Sequence, residues 1–263
     1  MRLCGLVEFL RTDLLVEAIR AGSDDCGGNA ITGVEIRDEV VLGDVDMTKD
    51  SNEVKLASNW SVKRVSDCLN AGQKHELIQF LSDRHRERFF EPIEILQGAK
   101  SSGRGFGFAI MALCSLLIET IESYKKGLPT SNRADFDDLF EGIDILPYKK
   151  DDIKKEIKDS RQMFEDFFKD LENKACFPDV NGGLFFQKIR CGLLHQAQTK
   201  GGWRIIRSGK YWDETSLSIN RDEFAVRLRK CFDRFLKHLE MTEWGEGVWP
   251  MVMRKIFLLT KSS

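Results

Sequence analysis

Two residues of this sequence have side chains suited to phosphate chemistry and lie five positions apart. Arg190 and His195 fall within residues 185–198, a stretch whose apolar residues recur at helical spacing. Histidine changes its charge near neutral pH and can transfer a proton. Arginine keeps its charge and binds phosphate oxygens through its planar guanidinium group. Together they suit metal-free cleavage of a phosphodiester or the binding of a nucleotide.

A helical plot of residues 185–198 separates an apolar sector from a mostly polar one. Five residues advance an α-helix by roughly 140°, so Arg190 and His195 mark the two edges of the polar sector, with Gln198 between them. We expect the apolar sector to be buried and the polar face to be available to a ligand. The glycine pair at 201–202 is a natural helix stop.

The Arg-x4-His spacing, in a late helix of an otherwise helical domain, resembles the HEPN superfamily of nucleotide- and RNA-binding domains. Two neighbouring segments are also similar to a set of poorly characterised bacterial proteins associated with that superfamily. They are Ile-Arg-Cys-Gly-Leu-Leu-His at 189–195 and Thr-Lys-Gly-Gly-Trp-Arg-Ile at 199–205. The resemblance covers about residues 80–240. It implies that His195 moves a proton while Arg190 holds the scissile phosphate, and that two chains often dimerise to bring two motifs together.

The first functional hypothesis is a metal-independent endoribonuclease that cleaves RNA by attack of its own 2′-hydroxyl, acting as a toxin or phage-defence effector. It would need no cofactor and no metal. The alternative is a non-catalytic nucleotide- or RNA-binding HEPN module, acting as a regulator or as a subunit of a defence or toxin–antitoxin system. Expected partners are RNA or a nucleotide, a second copy bound through the motif face, and an antitoxin or regulatory protein. A third interpretation makes Arg190 and His195 structural.

A carboxylate in the most apolar helix is a candidate to orient this pair. Residues 106–124 are apolar almost all round, which is typical of the central helix of a bundle. Glu119 and Glu122 interrupt it, and lone carboxylates in a buried helix need partners. We expect one of them to orient Arg190 or His195. The alternative is a solvent-facing edge or a structural salt bridge.

Basic residues follow the motif directly. Residues 200–234 contain 9 Lys/Arg against 5 Asp/Glu, although the whole chain has a net charge of −2. Lys200, Arg204 and Arg207, together with Gln198, are the candidate contacts to flanking phosphates of RNA.

A second basic run, Arg-His-Arg-Glu-Arg at 84–88, allows two interpretations. It could be a phosphate-facing cluster, or a solvated helix face paired with Asp83, Glu87 and Glu91. Charge runs are usually the latter, so the solvated face is preferred. His85 is expected to be a surface imidazole.

The fold predicted from these patterns is mainly α. It consists of a HEPN-like helical domain over residues 79–263, with a β-hairpin near 203–219, and an acidic α+β extension over residues 1–78. That extension holds 9 Lys/Arg against 14 Asp/Glu. Its function is not evident from its residues.

Composition and cysteine usage restrict the class of protein. A hydrophobic content of 42% and a charged content of 31% are typical of a globular protein. No apolar run approaches the roughly 20 residues of a membrane span, and the N-terminus is a poor signal peptide, so a cytoplasmic protein is expected. The seven cysteines show no disulfide or zinc spacing. Cys114 and Cys231 are predicted to be core residues.

Overall fold

The computed structural model describes residues 54–99, 106–130, 133–157 and 159–263. Val54–Ser263 forms one compact unit. Residues 54–78 therefore belong to the same unit as the helical domain predicted over 79–263, and this unit begins at residue 54. The rest of the predicted acidic extension, including its N-terminal helix, lies outside the described residues.

The described chain is mainly helical with small sheets, which confirms the predicted fold class. The elements in order are β1 (Lys55–Ala57), β2 (Trp60–Ser61), α1 (Val62–Asn70), α2 (Lys74–His85), a π-helical segment (Arg86–Phe90), α3 (Glu91–Gly98), α4 (Gly107–Lys126), α5 (Arg133–Leu139), α6 (Lys150–Glu156), α7 (Ser160–Lys169), α8 (Leu171–Lys174), α9 (Gly182–Phe185), a second π-helical segment (Phe186–Arg190), α10 (Cys191–Gln196), β3 (Arg204–Ile206), β4 (Trp212–Asp213), β5 (Ser218–Asn220), α11 (Arg221–Met241) and α12 (Trp249–Lys261).

Helix α4 lies at the centre of the bundle, as its composition predicts. It packs against α7, α11 and α12, and Ile110, Leu117 and Ile118 are fully buried. Among the described residues, α4 is the one helix long and apolar enough to cross a membrane, yet 67% of its most apolar window is buried inside the protein. That burial fits the core helix of a soluble protein. Cys114 on this helix and Cys231 on α11 are also buried, as predicted.

A small sheet follows the motif helix, as predicted near 203–219, but its strand pairing differs from a simple hairpin. Strand β3 pairs with β5 in parallel, so that Arg204 lies opposite Ser218. Strand β4 pairs with β5 in antiparallel register, with Trp212 opposite Ile219. The middle strand is β5, and the segment at 208–210 joins two strands that do not pair with each other.

Two π-helical segments of five residues each interrupt longer helices. One joins α2 to α3, and the other joins α9 to α10. In each, the amide that follows the segment donates to the carbonyl five residues earlier. Because a π turn holds more residues than an α turn, side chains after it are rotated relative to a plot at 100° per residue. Both basic motifs of the sequence lie at these segments.

Candidate functional site

The motif helix, which we define as α9, the second π-helical segment and α10 (residues 182–196), begins in close contact with α7. The Asn181 side chain caps it by accepting a hydrogen bond from the Leu184 amide at 3.0 Å. A Cβ atom on Gly182 would lie 2.5 Å from the carbonyl oxygen of Phe164. Only glycine permits this approach, so the start of the motif helix is held against the backbone of α7.

Aromatic rings hold the next turn of the motif helix. The Phe185 ring stacks on Phe164 of α7 with centroids 5.5 Å apart, and on Phe224 of α11 at 5.2 Å. Phe185 and Phe224 are fully buried. Stacked aromatic contacts add to the stabilisation from burial, so the backbone that carries the motif is packed on two sides.

Arg190 lies inside the protein and is paired with Glu119. Its Nε and Nη2 atoms each lie 2.9 Å from Glu119 Oε1, and its residue exposure is 7%. The Phe186 ring lies below the guanidinium group, 5.4 Å from its central carbon. No hydrogen bond to Arg190 Nη1 is found among the described residues. The described residues thus fix the guanidinium through Nε and Nη2 and leave Nη1 without a hydrogen bond.

Glu119 is the carboxylate that orients the arginine, one of the options left open by the sequence. Burial raises the pKa of Glu119, and the adjacent Arg190 charge opposes that rise. Glu122 has a different partner, because its Oε2 accepts a hydrogen bond from Lys126 at 2.5 Å. It belongs to a group of ion pairs that joins the end of α4 to Asp166 of α7 and to Asp170, the N-cap residue of α8, rather than to the motif.

His195 lies on the exposed side of the motif helix. It is the penultimate residue of α10, and the structure gives it no hydrogen bond within the described residues. Arg190 is buried, so the two residues do not share one open polar face as predicted. The helical plot assumed α geometry throughout, whereas residues 186–190 form a π turn that carries Arg190 to the buried side.

The motif helix ends earlier than predicted. Ala197 adopts a left-handed conformation with φ of 51°, and its amide donates to the carbonyl of Leu193, whereas the expected stop was the glycine pair at 201–202. The chain then folds back over Gly192, where a Cβ atom would lie 2.3 Å from the carbonyl oxygen of Gln198. The amide of Lys200 donates to the carbonyl of Lys188 at 2.8 Å. Gly192 thus permits a tight return of the chain beside the motif.

The predicted phosphate contacts follow this return, and most are exposed. Gln198, Arg204 and Arg207 are exposed, and Lys200 is half-buried. Arg204 donates to the Ser216 carbonyl at 3.2 Å. Arg207 faces Asp222 only at 3.9 Å. The three cations, Lys200, Arg204 and Arg207, follow the end of the motif helix and continue along β3.

A cavity of about 740 Å³ lies beside β4 and the first turns of α11, and none of the predicted site residues lines it. Asp179, Tyr211, Glu223 and Arg227 contribute to its wall. The Tyr211 hydroxyl donates to Asp179 at 3.1 Å, and the Arg227 guanidinium lies 4.0 Å above the Tyr211 ring. Arg227 Nε also lies 3.9 Å from a carboxylate oxygen of Glu223, so these four side chains contact one another.

The run at 84–88 is not a uniformly solvated face, and this is the largest correction to the predicted sites. Only Arg86 follows the preferred interpretation, with Asp83 at 3.5 Å and Glu91 at 3.6 Å. His85 was expected at the surface but is 1% exposed. Arg84 is half-buried and donates to a backbone carbonyl rather than to a carboxylate.

Burial also changes the chemistry of His85. Its Nδ1 lies 2.7 Å from the Leu81 carbonyl oxygen, and its buried Nε2 finds no hydrogen-bond partner among the residues that the structure describes. Burial lowers the pKa of His85 to about 3, with a contribution from neighbouring cations. The imidazole is therefore neutral at physiological pH. The i, i+4 spacing of Arg84 and Arg88 was the sequence signal that both could point to one side of a helix.

Comparisons with protein-family models, with curated proteins and with solved structures found no match for this chain. Among the described residues there is also no group of three or more His, Cys, Asp or Glu side chains arranged to hold a metal ion.

Proposed function

We propose that this protein is a metal-independent endoribonuclease of HEPN type, with His195 as the proton-transfer residue and Arg190 as the phosphate-binding residue. One observation carries the proposal. The Arg190 guanidinium is fixed by Glu119 at 2.9 Å on the buried side of the motif helix, and His195 lies on the exposed side of the turn that follows. Transfer at a phosphodiester requires a fixed cation and an accessible proton carrier, and the motif helix carries both.

The proposed reaction uses the substrate's own nucleophile. His195 accepts the proton of a ribose 2′-hydroxyl, and the 2′-oxygen attacks the adjacent phosphorus. The bond to the 5′-oxygen breaks, that oxygen takes up a proton, and the products are a 2′,3′-cyclic phosphate and a 5′-hydroxyl end. Arg190 stabilises the charge on the non-bridging oxygens through its Nη1 edge. No metal ion takes part in these steps.

The reaction transfers two protons, and one chain offers one motif histidine. A homodimer formed through the motif face, as the resemblance implies, would place a second His195 near the leaving oxygen. Lys200, Arg204 and Arg207 would bind phosphates on either side of the cut. Such an activity suits a cytoplasmic toxin or phage-defence effector that is restrained by an antitoxin or regulatory protein.

A second candidate is favoured by one feature of the same pair. Glu119 neutralises Arg190 and takes two of its donor atoms, Nε and Nη2. If that pair only supports the fold, the exposed cations after the motif helix still provide a surface for RNA or a nucleotide. The protein would then be a non-catalytic binding module in a defence or toxin–antitoxin system.

The deciding experiment is cleavage of total RNA by the purified full chain in excess EDTA. The wild type is compared with His195→Ala, with Arg190→Ala and with His75→Ala, an exposed histidine on α2. We expect the wild type and His75→Ala to cut and the two motif variants to lose at least 100-fold in rate. Binding of RNA without cutting by the wild type would support the binding module instead. Equal cutting by His195→Ala would refute the nuclease proposal.

A further inference from the structure

Three basic side chains surround Tyr124 of helix α4. Arg84 and Arg88 come from the end of α2 and the first π-helical segment, and Lys255 comes from α12. Arg84 and Arg88 both donate to the carbonyl oxygen of Leu56, Arg88 at 3.2 Å. Lys255 Nζ donates to the Pro129 carbonyl at 2.9 Å and lies 5.8 Å from the centre of the Tyr124 ring. We call Arg84, Arg88 and Lys255 the basic cluster.

Each member of the basic cluster donates its hydrogen bonds to neutral acceptors. The acceptors are two backbone carbonyls and the Tyr124 hydroxyl, which accepts a hydrogen bond from Arg84. No carboxylate in the described part of the chain forms an ion pair with any of the three cations, whereas their neighbour Arg86 has two such partners. Glu87 is the carboxylate whose charge acts on Arg84 and Arg88, and it does so without forming an ion pair with either. The three basic groups are therefore held together with little compensation from the described protein, which is costly.

Burial of part of the basic cluster increases the cost of its weakly compensated charge. Lys255 and Tyr124 are buried, and the ring of His85 lies 5.4 Å from that of Tyr124. Burial, with repulsion from Arg84, lowers the pKa of Lys255 to about 7. His85 is neutral, and its buried Nε2 has no hydrogen-bond partner within the described part of the chain. A bound anion would restore the charge of Lys255 and offset the repulsion between the cations.

We propose that Arg84, Arg88 and Lys255 form a binding site for a phosphate dianion, either free inorganic phosphate or the terminal phosphate of a nucleotide. Two guanidinium groups that converge from one helix face suit the paired oxygens of a phosphate. Arg88 is exposed and Arg84 is half-buried, so the ligand approaches from their side, and Lys255 is the buried member. The inference does not depend on RNA cleavage.

This phosphate site is distinct from the motif, although both use helix α4. Tyr124 of the phosphate site and Glu119 of the motif are five residues apart, which places them about 7.5 Å along the helix and about 140° around it. The two sites therefore face different neighbours of α4. Variants at one site can be tested for effects at the other.

The test measures binding of inorganic phosphate to the purified full chain by isothermal titration calorimetry, at ionic strength held constant with chloride. The wild type is compared with Arg88→Gln, and Arg86→Gln serves as the matched control because Arg86 is exposed, adjacent and already paired with carboxylates. We expect Arg88→Gln to weaken phosphate binding at least tenfold and Arg86→Gln to change it less than twofold. No phosphate binding by the wild type, or equal weakening by both variants, would overturn the proposal.

A variant at the buried lysine and a comparison of a nucleotide with its nucleoside complete the test. Lys255→Met removes the buried charge while filling the same volume, and we expect it to fold and to lose phosphate binding at least tenfold. A folded Lys255→Met that binds phosphate as the wild type does would contradict the assignment. Adenosine monophosphate that competes with phosphate, while adenosine does not, would identify a nucleotide phosphate as the source. Competition by neither would identify free phosphate.

Discussion

Arg190 Nε and Nη2 both donate to one oxygen of Glu119, each at 2.9 Å, across the contact between the motif helix and the central helix of the bundle. The side chains are only 8% and 15% exposed, so this is a largely desolvated ion pair. Removing one partner from such a pair leaves a buried charge that water does not solvate. The pair therefore links the stability of the fold to the position of the candidate phosphate-binding residue.

We predict that Glu119→Ala lowers the free energy of unfolding by about 3–5 kcal/mol, because Arg190 is left buried and unpaired. Urea unfolding followed by circular dichroism measures the loss. The double variant Glu119→Leu with Arg190→Met replaces both charges by apolar groups, and it should recover most of the stability. A Glu119→Ala variant as stable as the wild type would show that the pair contributes little.

The acid sensitivity of the fold should depend on His85. The pKa of His85 is about 3 in the folded protein, below the ordinary value of 6.5. Between these two pH values the imidazole is protonated in the unfolded chain and neutral in the folded chain. The contribution of His85 to stability is present above pH 6.5 and is lost as the pH falls towards 3. Between pH 6.5 and 5 we expect a loss of roughly 1.5 kcal/mol from this residue.

Chemical unfolding at pH 6.5 and at pH 5 tests this prediction. His85→Phe keeps a ring among Phe89, Tyr124 and Phe232, and it should show a smaller loss than the wild type over that interval. His75→Gln changes an exposed histidine and should behave as the wild type does. An undiminished loss in His85→Phe would mean that other groups set the acid response.

The same chemical change at two glycines should have opposite effects. Gly192→Ala would place a Cβ atom 2.3 Å from the backbone oxygen of Gln198, whereas Gly98→Ala meets nothing within 4 Å. We predict that Gly192→Ala costs about 1–3 kcal/mol of stability through overpacking, and that Gly98→Ala gains up to about 1 kcal/mol. Thermal unfolding of both variants measures the sign of each change in stability. A Gly192→Ala variant as stable as the wild type would show that the chain folding back over Gly192 can shift to accommodate the added methyl group.

The helical architecture was predictable because it rests on local patterns. The apolar spacing of α4 and α11 predicts both helices, and the burial of Cys114 and Cys231 follows from the same spacing. The contact between Arg190 and Glu119 was also anticipated as one option. A carboxylate in an apolar helix needs a partner, and the motif arginine was a candidate for that role.

Features that depend on non-local geometry were not predictable. The π turn at residues 186–190 moves Arg190 to the buried side, and no residue pattern in it distinguishes it from an α turn. The parallel pairing of β3 with β5 was likewise not predictable. These two strands are not joined directly by a turn, so no turn residues indicate that they pair. The burial of His85 depends on packing by α4 and α11, which a local charge pattern does not reveal.

The most direct test of the proposed nuclease is a pair of oligonucleotides that differ at one sugar. The first is an RNA with a mapped cleavage site, and the second carries a 2′-deoxyribose on the 5′ side of that cut. In excess EDTA, we predict that the wild type cuts the first to a 2′,3′-cyclic phosphate and leaves the second intact at that position, while His195→Ala cuts neither. Equal cleavage of both oligonucleotides, or cleavage by His195→Ala, would contradict attack by the 2′-hydroxyl under the control of His195.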